Sequence, residues 1–150
     1  MKKRNKVEIS VLVTNFNNKK FLVDAIKSLK KQSFKRFEII VIDDKSNDGS
    51  LKLLKQIINI KLIKTKTKTQ FSSYNQIKAY FLGYKKSQGE IICFLDSDDF
   101  FVKNKLEYIS NHFKKNRENQ VLFDRPIIFF SRTKNFKMKI NMRSKYLIPW

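Results

Sequence analysis

Cysteine, histidine, glycine and proline are all scarce in this 150-residue chain. A single cysteine, Cys93, excludes an intramolecular disulfide, and a single histidine leaves little material for a zinc site. The three glycines stand apart and the prolines number two, which excludes glycine-rich phosphate loops and collagen-like or linker architectures. The longest apolar run, Ile91–Leu95, is far shorter than the ~20 residues of a membrane helix. With no apolar signal-peptide core after the basic start, we expect a cytoplasmic location.

Acidic residues are also few, since 33 Lys and Arg stand against 13 Asp and Glu for a formal net charge of +20. This excess favours an anionic partner, which can be a nucleic acid, an anionic membrane leaflet or a polyphosphate substrate. Net charge does not choose among them, because lysines spread over solvated faces give the same total. The basic tail is the part most typical of a peripheral contact with an anionic inner membrane face.

Four short apolar runs, rich in β-branched residues, predict buried strands. They are residues 7–13, 37–42, 60–63 and 91–95. The segments between them have helical periodicity and are long enough for the crossovers that parallel strands need. The alternation of strand and helix predicts an α/β fold, in which helices flank a mostly parallel sheet.

Each predicted helix carries an apolar stripe that we expect to face the sheet. The stripes are Phe21, Leu22, Ala25, Ile26 and Leu29; Leu51, Leu54, Ile57 and Ile58; Ile77, Tyr80, Phe81 and Tyr84; and Leu106, Ile109 and Phe113. Beyond them, Val121–Phe123 and Ile127–Phe130 predict further short strands. No linker-like composition divides the chain, so we expect one domain over residues 1–150, with its core at about 7–132 and a basic tail over 133–150.

Aspartates concentrate where two of the predicted strands end. They are Asp43 and Asp44 after the second strand, and Asp96, Asp98 and Asp99 after the fourth. Ligands of open parallel sheets bind beyond the carboxyl ends of the strands. Clustered carboxylates repel one another, and Mg²⁺ or Mn²⁺ shared with a diphosphate is the simplest ion that would relieve the repulsion. The alternative role of helix cap or turn former stays open for Asp43 and Asp48 and is weaker for Asp98 and Asp99.

A recognisable pattern runs through four segments in a fixed order. They are Glu8–Asn17 (EISVLVTNFN), Leu29–Phe34 (LKKQSF), Phe37–Gly49 (FEIIVIDDKSNDG) and Gly89–Asp99 (GEIICFLDSDD). Together they resemble family 2 glycosyltransferases, and the last looks like that family's D-x-D segment. The resemblance implies a GT-A type fold, a nucleotide-diphospho-sugar donor and metal-dependent transfer of the sugar to a saccharide or lipid-linked acceptor, as in polysaccharide biosynthesis.

The same resemblance implies roles for individual residues at the donor nucleotide. Thr14, Phe16 and Asn17 would belong to the nucleotide site, with Phe16 stacking on the base where the family often has tyrosine. Asp44 would accept a hydrogen bond from the base, typically from N3–H of uracil. A UDP-sugar is therefore the favoured donor.

The D-x-D segment would serve the rest of the donor and the metal. Asp96 and Asp98 would contact the ribose or the metal, and Asp98 with Asp99 would hold the Mn²⁺ or Mg²⁺ on the diphosphate. One departure lies before this segment, where the family often has A-R-N-x-G and this chain has Ala79–Gly83 (AYFLG). Aromatic side chains there replace the polar ones that would help to hold the donor.

The sequence assigns no catalytic base. An inverting transfer needs a group that deprotonates the acceptor hydroxyl, and the acids after Asp99 are Glu107, Glu118 and Asp124, none in a distinctive pattern. A nucleotide-sugar-binding module without turnover, or a subunit of a split enzyme, is therefore the first alternative. A basic nucleic-acid-binding domain that uses the lysines of residues 61–68 and the tail is disfavoured.

Overall fold

The computed structural model describes residues 6–67 and 69–123. Strands and helices alternate along this part of the chain. The strands are β1 (Ile9–Asn15), β2 (Phe37–Asp43), β3 (Lys61–Lys64) and β4 (Ile91–Asp96), and the helices are α1 (Lys19–Lys30), α2 (Ser50–Leu54), α3 (Ser72–Tyr84) and α4 (Lys105–Lys115). The chain divides into two units, Met1–Asn111 and His112–Trp150, and the whole sheet lies in the first.

The sheet is parallel throughout, with the strand order β3-β2-β1-β4. The chain moves outward from β1 through β2 and β3, then returns to place β4 on the other side of β1. The register sets Asn15 beside Asp43 on β2 and Thr14 beside Asp96 on β4. Polar side chains thus meet at the carboxyl ends of the strands where the strand order reverses, which is the usual ligand position in such sheets. The predicted α/β fold with a parallel sheet is confirmed.

Aliphatic side chains from the strands and helices form the core. Those that are fully buried include Ile9, Leu12, Leu22, Leu29, Ile40, Ile42, Leu54 and Leu106. Each contributes about 1.5–3 kcal/mol through removal of its surface from water. The predicted stripes of α1 and α4 are confirmed at Leu22, Leu29, Leu106 and Ile109, whereas Phe21 is half-exposed. Cys93 is buried in β4, and burial raises the pKa of its thiol to about 12.

The predicted apolar stripe of α3 was wrong for three of its four residues. Ile77, Phe81 and Tyr84 are 67%, 53% and 57% exposed. The helix instead turns Ala79 and Gly83 toward the sheet, both of them buried. A Cβ at Gly83 would lie 2.8 Å from Cδ1 of Ile42 and 3.2 Å from Cδ2 of Leu12. The backbone of α3 lies so close to the sheet that small residues fill the interface and the large ones point outward.

Two other predicted elements differ from the structure. The stripe of α2 was expected to reach Ile58, but the helix ends at Leu54 and Ile58 is 73% exposed. Gln56 N–H and Ile57 N–H donate to carbonyls three residues back, which is the tight geometry of a helix end. Val121–Phe123 forms no strand. The predicted strand Ile127–Phe130 and the basic tail lie outside the described residues.

No helix within residues 6–67 and 69–123 has both the length and the apolar character needed to cross a bilayer.

Candidate active site

A cleft of about 550 Å³ lies at the carboxyl ends of β1, β2 and β4. The strand ends and the residues directly after them contribute Thr14, Asn15, Phe16, Asp44, Asp96, Ser97 and Asp98. The loop before α3 and α3 itself contribute Thr69, Gln70, Ser72, Ser73, Asn75, Gln76 and Ala79. Of the residues predicted for donor and metal, the structure brings together Thr14, Phe16, Asp44, Asp96 and Asp98. Asn17 and Asp99 are not among the lining residues.

Asp96, the last residue of β4, is held by three neutral donors on a single oxygen. Its Oδ1 accepts hydrogen bonds from Tyr80 Oη at 2.6 Å, from Gln76 Nε2 at 2.8 Å and from Thr14 Oγ1 at 3.4 Å. Burial and the Asp96 carboxylate raise the pKa of Tyr80 well above its ordinary value. The tyrosine hydroxyl therefore stays protonated and acts as a donor over the physiological pH range.

Asp44 is buried and directly follows β2. Because β2 and β4 pair with opposite edges of β1, Asp44 and Asp96 lie on opposite sides of β1. Thr65 Oγ1 donates to its Oδ1 at 2.5 Å, and the Asp44 N–H donates to the carbonyl of Asn15 at 2.8 Å. Thr65 follows β3, so its contact with Asp44 depends on the pairing of β2 with β3. Hydrogen bonds therefore hold both the carboxylate and the backbone of Asp44 in place.

Asp43 and Asn15 form a second buried polar group, beneath the loop that follows β2. Asn15 Nδ2 donates to Asp43 Oδ1 at 2.8 Å and to Ser46 Oγ at 3.0 Å. Ser46 N–H in turn donates to Asp43 Oδ2 at 3.1 Å. In the part of the chain that the structure describes, Asn15 Oδ1 is buried without a hydrogen-bond partner. Asp43 therefore stabilises the turn after β2, which is the structural role that the sequence had left open.

Asn17 and Asp48 connect the loops around the cleft. Asn17 has a φ of 50° and accepts from Asn47 N–H through Oδ1 at 2.7 Å. Asp48 accepts from the N–H of Lys19, the first residue of α1, at 2.7 Å and from Ser50 N–H at 2.9 Å. Asp48 thus accepts hydrogen bonds from the first backbone N–H of α1 and of α2, a structural role that the sequence had left open for this residue.

The turn Asp96–Asp99 concentrates negative charge. Asp99 N–H donates to the carbonyl of Asp96 at 3.1 Å, and the side chains of Asp98 and Asp99 are exposed. Although Asp99 is exposed, partial desolvation by its neighbours raises its pKa, and the charges of Asp98 and Asp96 raise it further. Within the described residues, no group of three or more His, Cys, Asp or Glu side chains is arranged to hold a metal ion.

Three acidic residues come after Asp99 in the sequence. Glu107 accepts a hydrogen bond from Ser33 Oγ at 2.8 Å and is not part of the cleft lining. Glu118 belongs to the second unit, and Asp124 lies outside the described residues. Among the residues that the structure describes, the carboxylates that line the cleft are Asp44, Asp96 and Asp98, each at or just after the end of a strand.

Sequence reasoning missed three residues that position the site: Tyr80, Gln76 and Thr65. The departure from the A-R-N-x-G pattern drew attention to Tyr80, but its aromatic ring suggested packing rather than a hydrogen bond to Asp96. Gln76 and Thr65 belong to no sequence motif. They reach the aspartates at the strand ends only through the fold of the chain.

Comparison with known proteins gives consistent matches. The family model of glycosyl transferase family 2 matches residues 10–149. The poly(ribitol-phosphate) β-N-acetylglucosaminyltransferase TarS of Staphylococcus aureus is 32% identical over 103 residues, which are 67% of this chain and 18% of that protein. A cholesterol galactosyltransferase of Borreliella burgdorferi is 30% identical over 150 residues, covering 97% of this chain and 38% of that protein.

A solved structure shows the same fold. The crystal structure of S. aureus TarS 1–349 in complex with UDP matches with a TM-score of 0.65 and 28% identity, over 73% of this chain and 33% of that chain. The chain therefore spans well under half the length of these relatives. The parallel sheet with its flanking helices is of the GT-A type. With a family model matched from residue 10 to residue 149 and a sheet shared with TarS, the chain belongs to glycosyl transferase family 2.

Proposed function

We propose that the chain binds a nucleotide-diphospho-sugar, with a UDP-sugar favoured, and transfers the sugar to a saccharide or lipid-linked acceptor with the help of Mn²⁺ or Mg²⁺. One observation carries this proposal: Phe16, Asp44, Asp96 and Asp98 line a single cleft at the strand ends. Its volume of about 550 Å³ is within the range of small-molecule sites. TarS, which shares the fold, has been solved with UDP and with UDP-GlcNAc.

The nucleobase would bind between Phe16 and Asp44. Phe16 is 47% exposed and lines the cleft, so a base that enters the cleft can stack on its ring. Asp44 is held by Thr65, so its carboxylate is oriented before the ligand arrives. A fixed carboxylate that accepts N3–H of uracil would discriminate against bases that present no donor there, because the buried acceptor would be left unpaired.

The acidic turn fits a divalent cation. Its ligands would be carboxylate oxygens, which Mg²⁺ and Mn²⁺ prefer, and Mg²⁺ is commonly held by one or two carboxylates together with substrate phosphates. The pKa of Asp99 is raised first by partial desolvation and then by the charges of Asp98 and Asp96, and a bound cation would offset that excess of negative charge. We assign the metal to Asp98 and Asp99. Once bound, the ion would stabilise negative charge on the leaving diphosphate.

A binding module without turnover is the second candidate function. It is favoured by the position of Glu107, which contacts Ser33 and, among the described residues after the D-x-D segment, does not belong to the cleft lining. A base for the acceptor hydroxyl would then come from another polypeptide, as in a split enzyme.

A panel of donors separates these functions. We expect UDP-glucose, UDP-galactose and UDP-GlcNAc to bind with Mn²⁺ about 10-fold or more tightly than CDP-glucose, because the unprotonated N3 of cytosine offers Asp44 no hydrogen-bond donor. Release of UDP above the buffer rate supports the transferase, and binding without release across the panel supports the binding module. If no nucleotide sugar binds, both are wrong. Affinity for nucleic acid that falls steeply with salt and ignores Asp98→Ala would then favour the basic nucleic-acid-binding domain.

A further inference from the structure

Tyr80 of α3 packs both against the hydrophobic core and against an aromatic residue of β4. Its ring packs against the core cluster formed by Leu12, Ile40, Ile42 and Ala79. On its other side the ring meets Phe94 of β4 edge-on, with ring centroids 4.7 Å apart and an angle of 75°. Tyrosine has few side-chain torsions, so these contacts fix the position of its hydroxyl group.

That hydroxyl makes the shortest of the three hydrogen bonds to Asp96. Gln76 has an exposed side chain that can rotate away, and the bond from Thr14 is long at 3.4 Å. Tyr80 is therefore the most rigid of the three donors. Because it is uncharged, it orients the carboxylate without neutralising it, whereas a cationic side chain would cancel the charge that a metal or ribose recognises.

We infer that Tyr80 is a positioning residue of the donor site, whose hydroxyl holds Asp96 Oδ1 so that the second carboxylate oxygen is directed at the bound nucleotide and its metal. This inference rests on the proposed function of the cleft. Loss of a hydrogen-bonding partner that orients a metal ligand commonly lowers metal affinity or activity by about 10- to 100-fold. The structure thus gives a function to a tyrosine whose surroundings, read from sequence, suggested packing alone.

The test uses Tyr80→Phe, which keeps the ring against Phe94 and removes only the hydroxyl group. Tyr84→Phe is the matched control, since it removes the same atom from an exposed tyrosine of the same helix. Titration with UDP at saturating Mn²⁺ should show about 10-fold weaker binding for Tyr80→Phe and a change within about twofold for Tyr84→Phe. The Mn²⁺ concentration that half-saturates UDP binding should also rise in Tyr80→Phe, an effect that a purely structural role would not produce.

A double-mutant cycle with Asp96→Asn locates the effect. If Tyr80 acts through Asp96, adding Tyr80→Phe to Asp96→Asn should weaken UDP binding by about twofold or less. If Tyr80→Phe weakens UDP binding by the same factor in the Asp96→Asn variant as in the unmodified protein, the inference is overturned. It is also overturned if Tyr80→Phe and the unmodified protein bind UDP equally well. If the unmodified protein binds no UDP, the proposed function fails together with this inference, whereas normal binding with an unaffected Tyr80→Phe overturns this inference alone.

Discussion

Replacing Asp98 with alanine is expected to lower the affinity for UDP in the presence of Mn²⁺ by about 100-fold or more. Asp98 lines the cleft and is one of the two residues of the acidic turn that we assign to the metal. Changes to the outer partners of a metal ligand already cost about 10- to 100-fold, so loss of a ligand should cost at least as much. Binding of UDP without metal should change far less. Isothermal titration with and without Mn²⁺ measures both quantities.

The matched control is Asp24→Ala. Asp24 is an exposed residue of α1 outside the cleft, and its replacement changes the net charge by the same amount. Since the chain carries a charge of +20, loss of any carboxylate strengthens general attraction to a polyphosphate. UDP affinity should therefore be unchanged or slightly higher in Asp24→Ala. Equal UDP affinities of Asp98→Ala and Asp24→Ala in the presence of Mn²⁺ would contradict the assignment of Asp98 to the metal.

Gly89→Ala is expected to destabilise the protein by about 3 kcal/mol, at the upper end of the cost of overpacking. A Cβ at Gly89 would lie 2.6 Å from the carbonyl carbon of Ile9 and 2.6 Å from the nitrogen of Ser10. Both atoms belong to the backbone of the central strand, which cannot move without disturbing its pairing with β2 and β4. Urea denaturation measures the free energy of unfolding.

Gln88→Ala provides the comparison for Gly89→Ala. Gln88 is the exposed neighbour, and the hydrogen bonds of its backbone N–H to Glu38 and Ser10 do not involve its own side chain. Its replacement should change the free energy of unfolding by no more than about 0.5 kcal/mol. A Gly89→Ala protein as stable as Gln88→Ala would show that the loop before β4 can move away from β1.

The sheet could be predicted from the sequence because buried parallel strands leave a strong local signal. Runs such as residues 39–42 and 91–95 are continuously apolar, as is typical of strands in a sheet that is covered on both faces. Helix α3 carried a misleading signal, because the face that packs depends on how closely the backbone approaches the sheet. Gly83 allows that close approach, and periodicity gives more weight to large side chains such as Phe81 than to a glycine.

The candidate site was predictable where its residues follow the strands directly. Asp44, Asp96 and Asp98 could be located from strand ends and from the family resemblance, and all three line the cleft. Tyr80 and Thr65 lie on other elements and reach these aspartates only through tertiary packing. Their roles depend on hydrogen bonds of 2.6 Å and 2.5 Å that no sequence pattern encodes.

Titration of the unmodified protein with UDP, in the presence and in the absence of Mn²⁺, decides whether this cleft is a metal-assisted site for a nucleoside diphosphate. Nonspecific attraction of UDP to the many lysines would weaken with Mn²⁺, because the ion neutralises the diphosphate. For a metal-assisted site we expect the opposite, namely micromolar binding of UDP that Mn²⁺ strengthens. Absence of binding under both conditions, or binding that Mn²⁺ weakens, would contradict this expectation.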